Sequence, residues 1–130
     1  MSMTGKEPMI LTAQRGRVAL RMTCVPMGRD LAVTLCGGDA HIGAVAVSQP
    51  RPSHEVGGAV SATTSVIALL GHKEDDLART LAGRFAARLD AVVSVACGIH
   101  LDAIRAVELK DVLEMAEELT GEAISRITAP

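Results

Sequence analysis

Up to Leu70 the apolar residues come in short runs, the clearest of which alternate in and out, whereas after Gly71 they recur at every fourth position. A period of two sends side chains alternately to the two faces of a strand, and a period near four lines one face of a helix. The chain is therefore committed to a sheet first and helices afterwards. The stretches 17–27 and 31–36 are β-branched runs separated by Gly28, Arg29 and Asp30, which is hairpin punctuation. In the second, Leu31, Val33 and Leu35 alternate with Ala32, Thr34 and Cys36. The run from His41 to Ser48 is apolar on both sides, which predicts an inner strand. Residues 49–58 hold Pro50 and Pro52, which lack amide donors, and Gly57 and Gly58, so they predict a surface loop outside a central sheet. A fourth strand is expected from Val60 to Leu70 and a fifth from Val92 to Cys97, stopped by Gly98.

After Gly71, Leu77, Leu81, Phe85 and Leu89 repeat every four residues with Ala78, Ala82 and Ala86 beside them, the pattern of an amphipathic helix. Leu109, Val112, Leu113, Ala116 and Leu119 mark a second helix, with Gly121 as its stop. The expected order is β-β-β-β-α-β-α. That order predicts an α+β fold, a mostly antiparallel sheet with two helices packed on one face, in a single domain over residues 9–130 after a flexible lead-in of residues 1–8. Two helices cannot cover both faces of strands this apolar. A second copy is the simplest cover, so a homodimer is expected.

With 130 residues, 48% of them hydrophobic, the chain can bury one core unaided. A net charge of −2 offers no basic surplus for a phosphate backbone, and Phe85 is the single aromatic, so there is no stacking platform for bases; nucleic acid is not an expected partner. Three widely spaced cysteines, Cys24, Cys36 and Cys97, form neither a disulfide framework nor a C-x-x-C knuckle and fit a reducing compartment. The first residues lack a signal-like apolar run and no stretch reaches membrane-spanning length, so a cytoplasmic protein without membrane contact is expected.

Three segments share one grammar: an apolar strand, a glycine, then a histidine close to a carboxylate. They are Gly37-Gly38-Asp39-Ala40-His41, Gly71-His72-Lys73-Glu74-Asp75 and Gly98-Ile99-His100-Leu101-Asp102. Glycine after a strand permits a sharp reversal, so the next side chain is aimed along the sheet edge. Imidazoles with carboxylates are ligands for Zn, Mn or Fe, or an acid and base pair, which makes His41, His72, His100 and Asp102 the candidate metal ligands. A histidine alone at a strand end is more often an ordinary satisfied residue, and His54, in the proline-rich stretch, lacks the motif context. Gly71 to Glu74 also opens a helix, where free amides and Lys73 form a small anion site. Simple capping of that helix by Glu74 and Asp75 is the slightly favoured reading. Cys36 and Cys97 precede the glycine turns and read best as small apolar fillers. Walker, Rossmann, H-E-x-x-H and G-x-S-x-G patterns are absent, so no common catalytic template is supported and no catalytic residue is assigned.

These three segments, with Thr64-Ser65-Val66-Ile67 leading into the second and Ala103-Ile104 closing the third, resemble the LpdD-like family over about residues 17–120. Its members accompany UbiD-type decarboxylases of aromatic acids, gallate decarboxylase among them, as chaperones for prenylated flavin mononucleotide. The resemblance implies a non-catalytic protein that holds the reduced flavin between a flavin prenyltransferase and the decarboxylase. It marks Asp39, His41, His72, Lys73, His100 and Asp102 as cofactor-binding, to which Gly71 is added as the glycine that opens the phosphate site. The family's third motif carries asparagine where this chain has Ala103. A divalent ion held by His and Asp would bridge phosphate to protein, and the ring would need an aliphatic slot at the dimer seam. Two other readings stand beside this one: a small His/Asp metal-dependent enzyme, a hydrolase or isomerase, and a structural subunit without ligand. The binding readings require that the folded sheet bring the three imidazoles to one rim.

Overall fold

The computed structural model describes residues 3, 5–52, 60–69 and 74–130. Six strands and two helices follow in the order β1 (Met9–Arg15), β2 (Val18–Met27), β3 (Asp30–Gly38), β4 (Ala44–Pro52), β5 (Val60–Ala68), α1 (Asp75–Leu89), β6 (Val93–His100) and α2 (Ala106–Thr128). The strands form one sheet in the order β1-β2-β3-β6-β4-β5, antiparallel except for the β3–β6 pair. The α+β class, with both helices on one face, is as the sequence predicts.

Two-residue turns join the first three strands, with Gly16 at φ 57° and Gly28 at φ 61°, the left-handed backbone that glycine adopts without penalty. Alternation then sets the core face. Val18, Leu20, Met22 and Cys24 of β2 and Leu31, Val33 and Leu35 of β3 are buried, as are Val93, Val95 and Cys97 of β6. Helix α1 lies on β4, β5 and β6, and α2 lies on β1 and β2 and against α1. Phe85, Leu81 and Leu89 of α1 and Met115 and Leu119 of α2 are among the side chains sealed between the layers, each worth roughly 1.5–3 kcal/mol of burial. Met3 is also buried against this core.

Several sequence expectations need correction. Residues 9–15 form a strand, so the order begins with five strands and not four. Their apolar pattern is short because β1 is an edge strand whose outer face carries Ile10, Thr12 and Gln14. Pro50 and Pro52 lie inside β4, opposite Ala62 and Val60 of β5. Proline is tolerated there because β6 pairs with β4 only as far as Ser48, which leaves the other side of the prolines unpaired. His41 precedes β4 and is not part of it. Gly121 does not stop α2, which runs through it to Thr128 on the buried series Met115, Leu119, Ala123 and Ile127. Leu109 and Leu113, expected on the core face of that helix, are exposed.

Candidate functional site

The parallel pairing of β3 with β6 places Gly38 beside His100, so the first and third glycine–histidine segments leave the sheet at the same rim. There the chain is packed backbone on backbone. The Asp39 amide donates to the His100 carbonyl at 3.0 Å, and the Gly43 amide donates to the Cys97 carbonyl at 2.9 Å. An added Cβ on Gly98 would overlap the carbonyl of His41, and one on Gly38, itself at φ 63°, would overlap the carbonyl of His100. Only glycine lets the 39–43 segment cross β6 this closely. The two imidazoles that result are edge to face, with ring centroids 6.3 Å apart.

Each ring has a different set of partners. His41 sends Nδ1 to the carbonyl of Asp39 at 3.2 Å; a carbonyl only accepts, so Nδ1 carries the hydrogen. Its Nε2 lies 3.2 Å from Glu74 Oε1. Glu74 immediately precedes α1 but makes no side-chain cap there. Its carboxylate instead crosses to β6, where Oε1 accepts the Ile99 amide at 3.3 Å, and packs against Gly43. This corrects the expectation that Glu74 caps the helix. Its other oxygen, Oε2, is buried without a hydrogen-bond partner among the described residues. His100, by contrast, is half exposed and pairs through Nε2 with Asp102 Oδ1 at 3.1 Å. Asp39, His100 and Asp102 offer donor atoms that all lie within 4.8 Å of one another.

The turn that presents Asp102 is clamped from the β1–β2 turn. Arg17, in the β1–β2 turn, donates from Nη2 to the Asp102 carbonyl at 2.8 Å, and its Nε and Nη2 meet the two oxygens of Glu108 at 2.5 and 3.0 Å. Glu108 also accepts the Arg105 amide at 3.0 Å and is buried in the first turn of α2. The Arg17 hydrogen bonds, with the Arg105 amide adding to them, hold its carboxyl down to about 2. Sequence reasoning missed Arg17, Glu74 and Glu108 as site-shaping residues. Glu74 stood within a recognised motif, whereas Arg17 and Glu108 are 91 positions apart and gave no local signal.

Of the sequence-predicted site residues, Asp39, His41, His100 and Asp102 meet at this rim. Gly71, His72 and Lys73 lie outside the described residues, as does His54. Cys97 is buried behind Glu74, and burial, with the Glu74 carboxylate and Cys36 adding to it, pushes its thiol up to about 12, as for a small packed filler. The donor set of two carboxylates and one imidazole fits a divalent ion of the Mn or Zn kind.

Residues 14–128 match the family model described as the prenylated flavin chaperone LpdD-like domain. The chain belongs to that family. No curated protein matches the chain in sequence. Among solved structures, it is similar to a chain of a novel chaperone complex for yeast 20S proteasome assembly, with a TM-score of 0.54 and 13% identity over 91% of this chain and 98% of that one. At that identity the likeness is one of fold. No helix among the described residues is long and apolar enough to cross a membrane.

Proposed function

We propose that this LpdD-like protein is a non-catalytic carrier of reduced prenylated flavin mononucleotide, which it takes from a flavin prenyltransferase and delivers to a UbiD-type decarboxylase in the cytoplasm, working as a homodimer. The observation that carries the reading is the convergence of two of its glycine–histidine segments, and of Glu74 from the third, at a single rim. The acceptor atoms there suit a hydrogen-bonding ligand: Glu74 Oε2 is buried with unused lone pairs beside the His41 ring. Asp39, His100 and Asp102 would hold a divalent ion, which would neutralise charge between the carboxylates and a flavin phosphate. Gly71, His72 and Lys73 adjoin Glu74 in sequence and are proposed to complete the phosphate side, with the amides that open α1 as donors. With Phe85 the single Phe, Tyr or Trp and buried under the sheet, ring stacking on the flavin would be weak, which suits a carrier that has to release its cargo.

Anaerobic titration with reduced prenylated flavin, read by its absorbance and by calorimetry, tests this. Saturable one-to-one binding per chain, followed by activation of an apo-decarboxylase, is the expected result. Absence of binding under strict anaerobiosis overturns it. The Asp39, His100 and Asp102 cluster favours one competing reading, a small metal-dependent hydrolase or isomerase. Turnover of ester, phosphoester or lactone probes that needs Mn or Zn and disappears in His100→Ala would support that reading over the carrier.

A further inference from the structure

Helix α2 buries Glu108, Val112, Met115 and Leu119, yet a second stripe beside these is left open. Ala106, Leu109, Lys110 and Leu113 follow the i, i+3, i+4, i+7 spacing of one helix face, and Leu109 and Leu113 stand 51% and 47% exposed. Val107 at 55% and Ile104 at 42%, just before the helix, extend the apolar patch. Its place beside the rim is fixed by one guanidinium. Arg17 Nη2 donates both to the Asp102 carbonyl at 2.8 Å and to the Glu108 carboxylate, in the first turn of α2, at 3.0 Å. On the β4 side of the rim, Ile42 follows His41 and is 58% exposed, and Leu69 is held to the Gly43 carbonyl by its amide at 2.9 Å and is 46% exposed. The polar centre formed by Asp39, His100 and Asp102 is therefore flanked by uncovered apolar side chains, the composition of a surface that another molecule closes over.

We propose that the opening of α2, from Ile104 to Leu113, is the docking face for the enzyme that receives the cargo, which meets it with an apolar surface edged by carboxylates. The identity of that partner rests on the carrier reading. A reduced flavin kept from solvent has to pass directly from one binding site to the next, so the receiver must touch the rim, and this patch is what the rim offers it. Charge then selects among occupants. Arg105 and Lys110 project from the patch with side chains 73% and 74% exposed, whereas the carboxylates they touch, Glu108 and Glu114, are 4% and 43% exposed. The outermost charge is therefore cationic. A two-fold axis through the patch would bring Arg105 and Lys110 of two copies together, which like charges oppose, whereas an acidic edge on a different protein is attracted. An anionic lipid surface would meet the exposed carboxylate of Asp102 alongside the cations. Area points the same way. Ten residues at about 1.5 Å rise and a helix width of about 10 Å give roughly 150 Å². Even with the rim added, that is small beside the total of about 1,200 Å² typical of a stable complex, and a transient contact is what a hand-over requires.

The test measures association of the full chain with an immobilised UbiD-type apo-decarboxylase by interferometry, without flavin and with it, and separately titrates reduced flavin into each variant under anaerobic conditions. The double variant Leu109→Gln, Leu113→Gln should bind the decarboxylase about tenfold more weakly while keeping wild-type circular dichroism and flavin affinity. Lys110→Glu should also weaken association and reduce its sensitivity to salt. Arg126→Gln, at the far end of the same helix, should change nothing. If the glutamine variant loses helicity, Lys110→Glu decides alone. Wild-type protein that binds the decarboxylase neither empty nor loaded overturns the proposal, as do variants that bind within about twofold of wild type. It is also overturned if the double variant loses binding to phosphatidylglycerol vesicles, or changes its mass in light scattering, with decarboxylase binding intact, since lipid or a second copy would then occupy the patch. Failure of the flavin titration alone, with association and its loss in the variants intact, removes the carrier reading and leaves the docking face standing.

Discussion

Replacing Gly98 by alanine probes the backbone packing on which the site depends. The added methyl would overlap the carbonyl of His41 and sit 3.3 Å from the amide nitrogen of Gly43. Ordinary contact between such atoms is about 3.5 Å, so the His41 peptide has to retreat by roughly 2 Å. That movement breaks the 2.9 Å bond from the Gly43 amide to the Cys97 carbonyl. It loses about 1 kcal/mol of net hydrogen bonding and leaves buried groups unpaired at about 1–3 kcal/mol more. The sum is about 2–4 kcal/mol. For 130 residues and an unfolding entropy of about 2.1 cal/mol/K per residue, the melting midpoint should fall by roughly 7–15 °C. His41 would also leave Glu74 and His100, so binding of the reduced flavin should weaken in the protein that remains folded. Gly83→Ala is the control, because its methyl meets only Thr64 Oγ1 at 3.5 Å and should stabilise α1 by up to about 1 kcal/mol. Calorimetric melts of the two variants decide the matter. A Gly98→Ala midpoint within about 2 °C of wild type would refute the close-approach argument, by the same scaling.

Glu108→Gln should loosen the turn that carries Asp102 and lower Mn or Zn affinity, measured by calorimetry. The Glu108 carboxyl is lowered in the folded chain from 4.5 to about 2, so its stabilisation is complete above 4.5 and is lost as pH falls towards 2. The gap in melting midpoint between wild type and Glu108→Gln should accordingly be constant from neutral pH down to about 5 and close below that. Ala103 holds φ at 49°, a left-handed backbone that costs a non-glycine residue roughly 1 kcal/mol, so Ala103→Gly should raise the midpoint and Ala103→Asn should leave it equal or higher. A lower midpoint for both would mean that the turn is not strained there. Burial lifts the thiols of Cys24 and Cys97 to about 11 and about 12, so both should resist a thiol reagent at pH 8 in the folded protein and react on unfolding. Rapid labelling of either in the native state would contradict the buried packing around β2 and β6.

Much of the architecture was legible because hydrophobic period is a local property. The alternation over 31–36 and the four-residue repeat from Leu77 to Leu89 each encode their own element, and both appear where expected. Errors arose where the deciding neighbour is distant in the chain. Whether proline can sit in β4 depends on how far β6 extends beside it. Whether Gly121 ends α2 depends on Met115, Leu119, Ala123 and Ile127 finding a sheet to cover, and buried packing there outweighs the weak helix propensity of one glycine. Leu109 and Leu113 fit the period and are nevertheless exposed, because periodicity identifies a stripe without saying how much of it a neighbour reaches.

By itself, then, the order of residues determined the α+β class, most of the elements though not β1 or the ends of β4 and α2, and the three glycine–histidine segments, all of which rest on spacing within a few turns or strands of one another. The tertiary structure alone decided that β6 runs parallel to β3, which sets Gly38 against His100 and brings His41 within 6.3 Å of that ring. It also decided that Glu74 turns from its own helix to His41 and Ile99, and that Arg17 reaches Glu108 across 91 positions. Contacts of that kind depend on sheet order and register, which are properties of the closed core and are written in no single stretch of the chain.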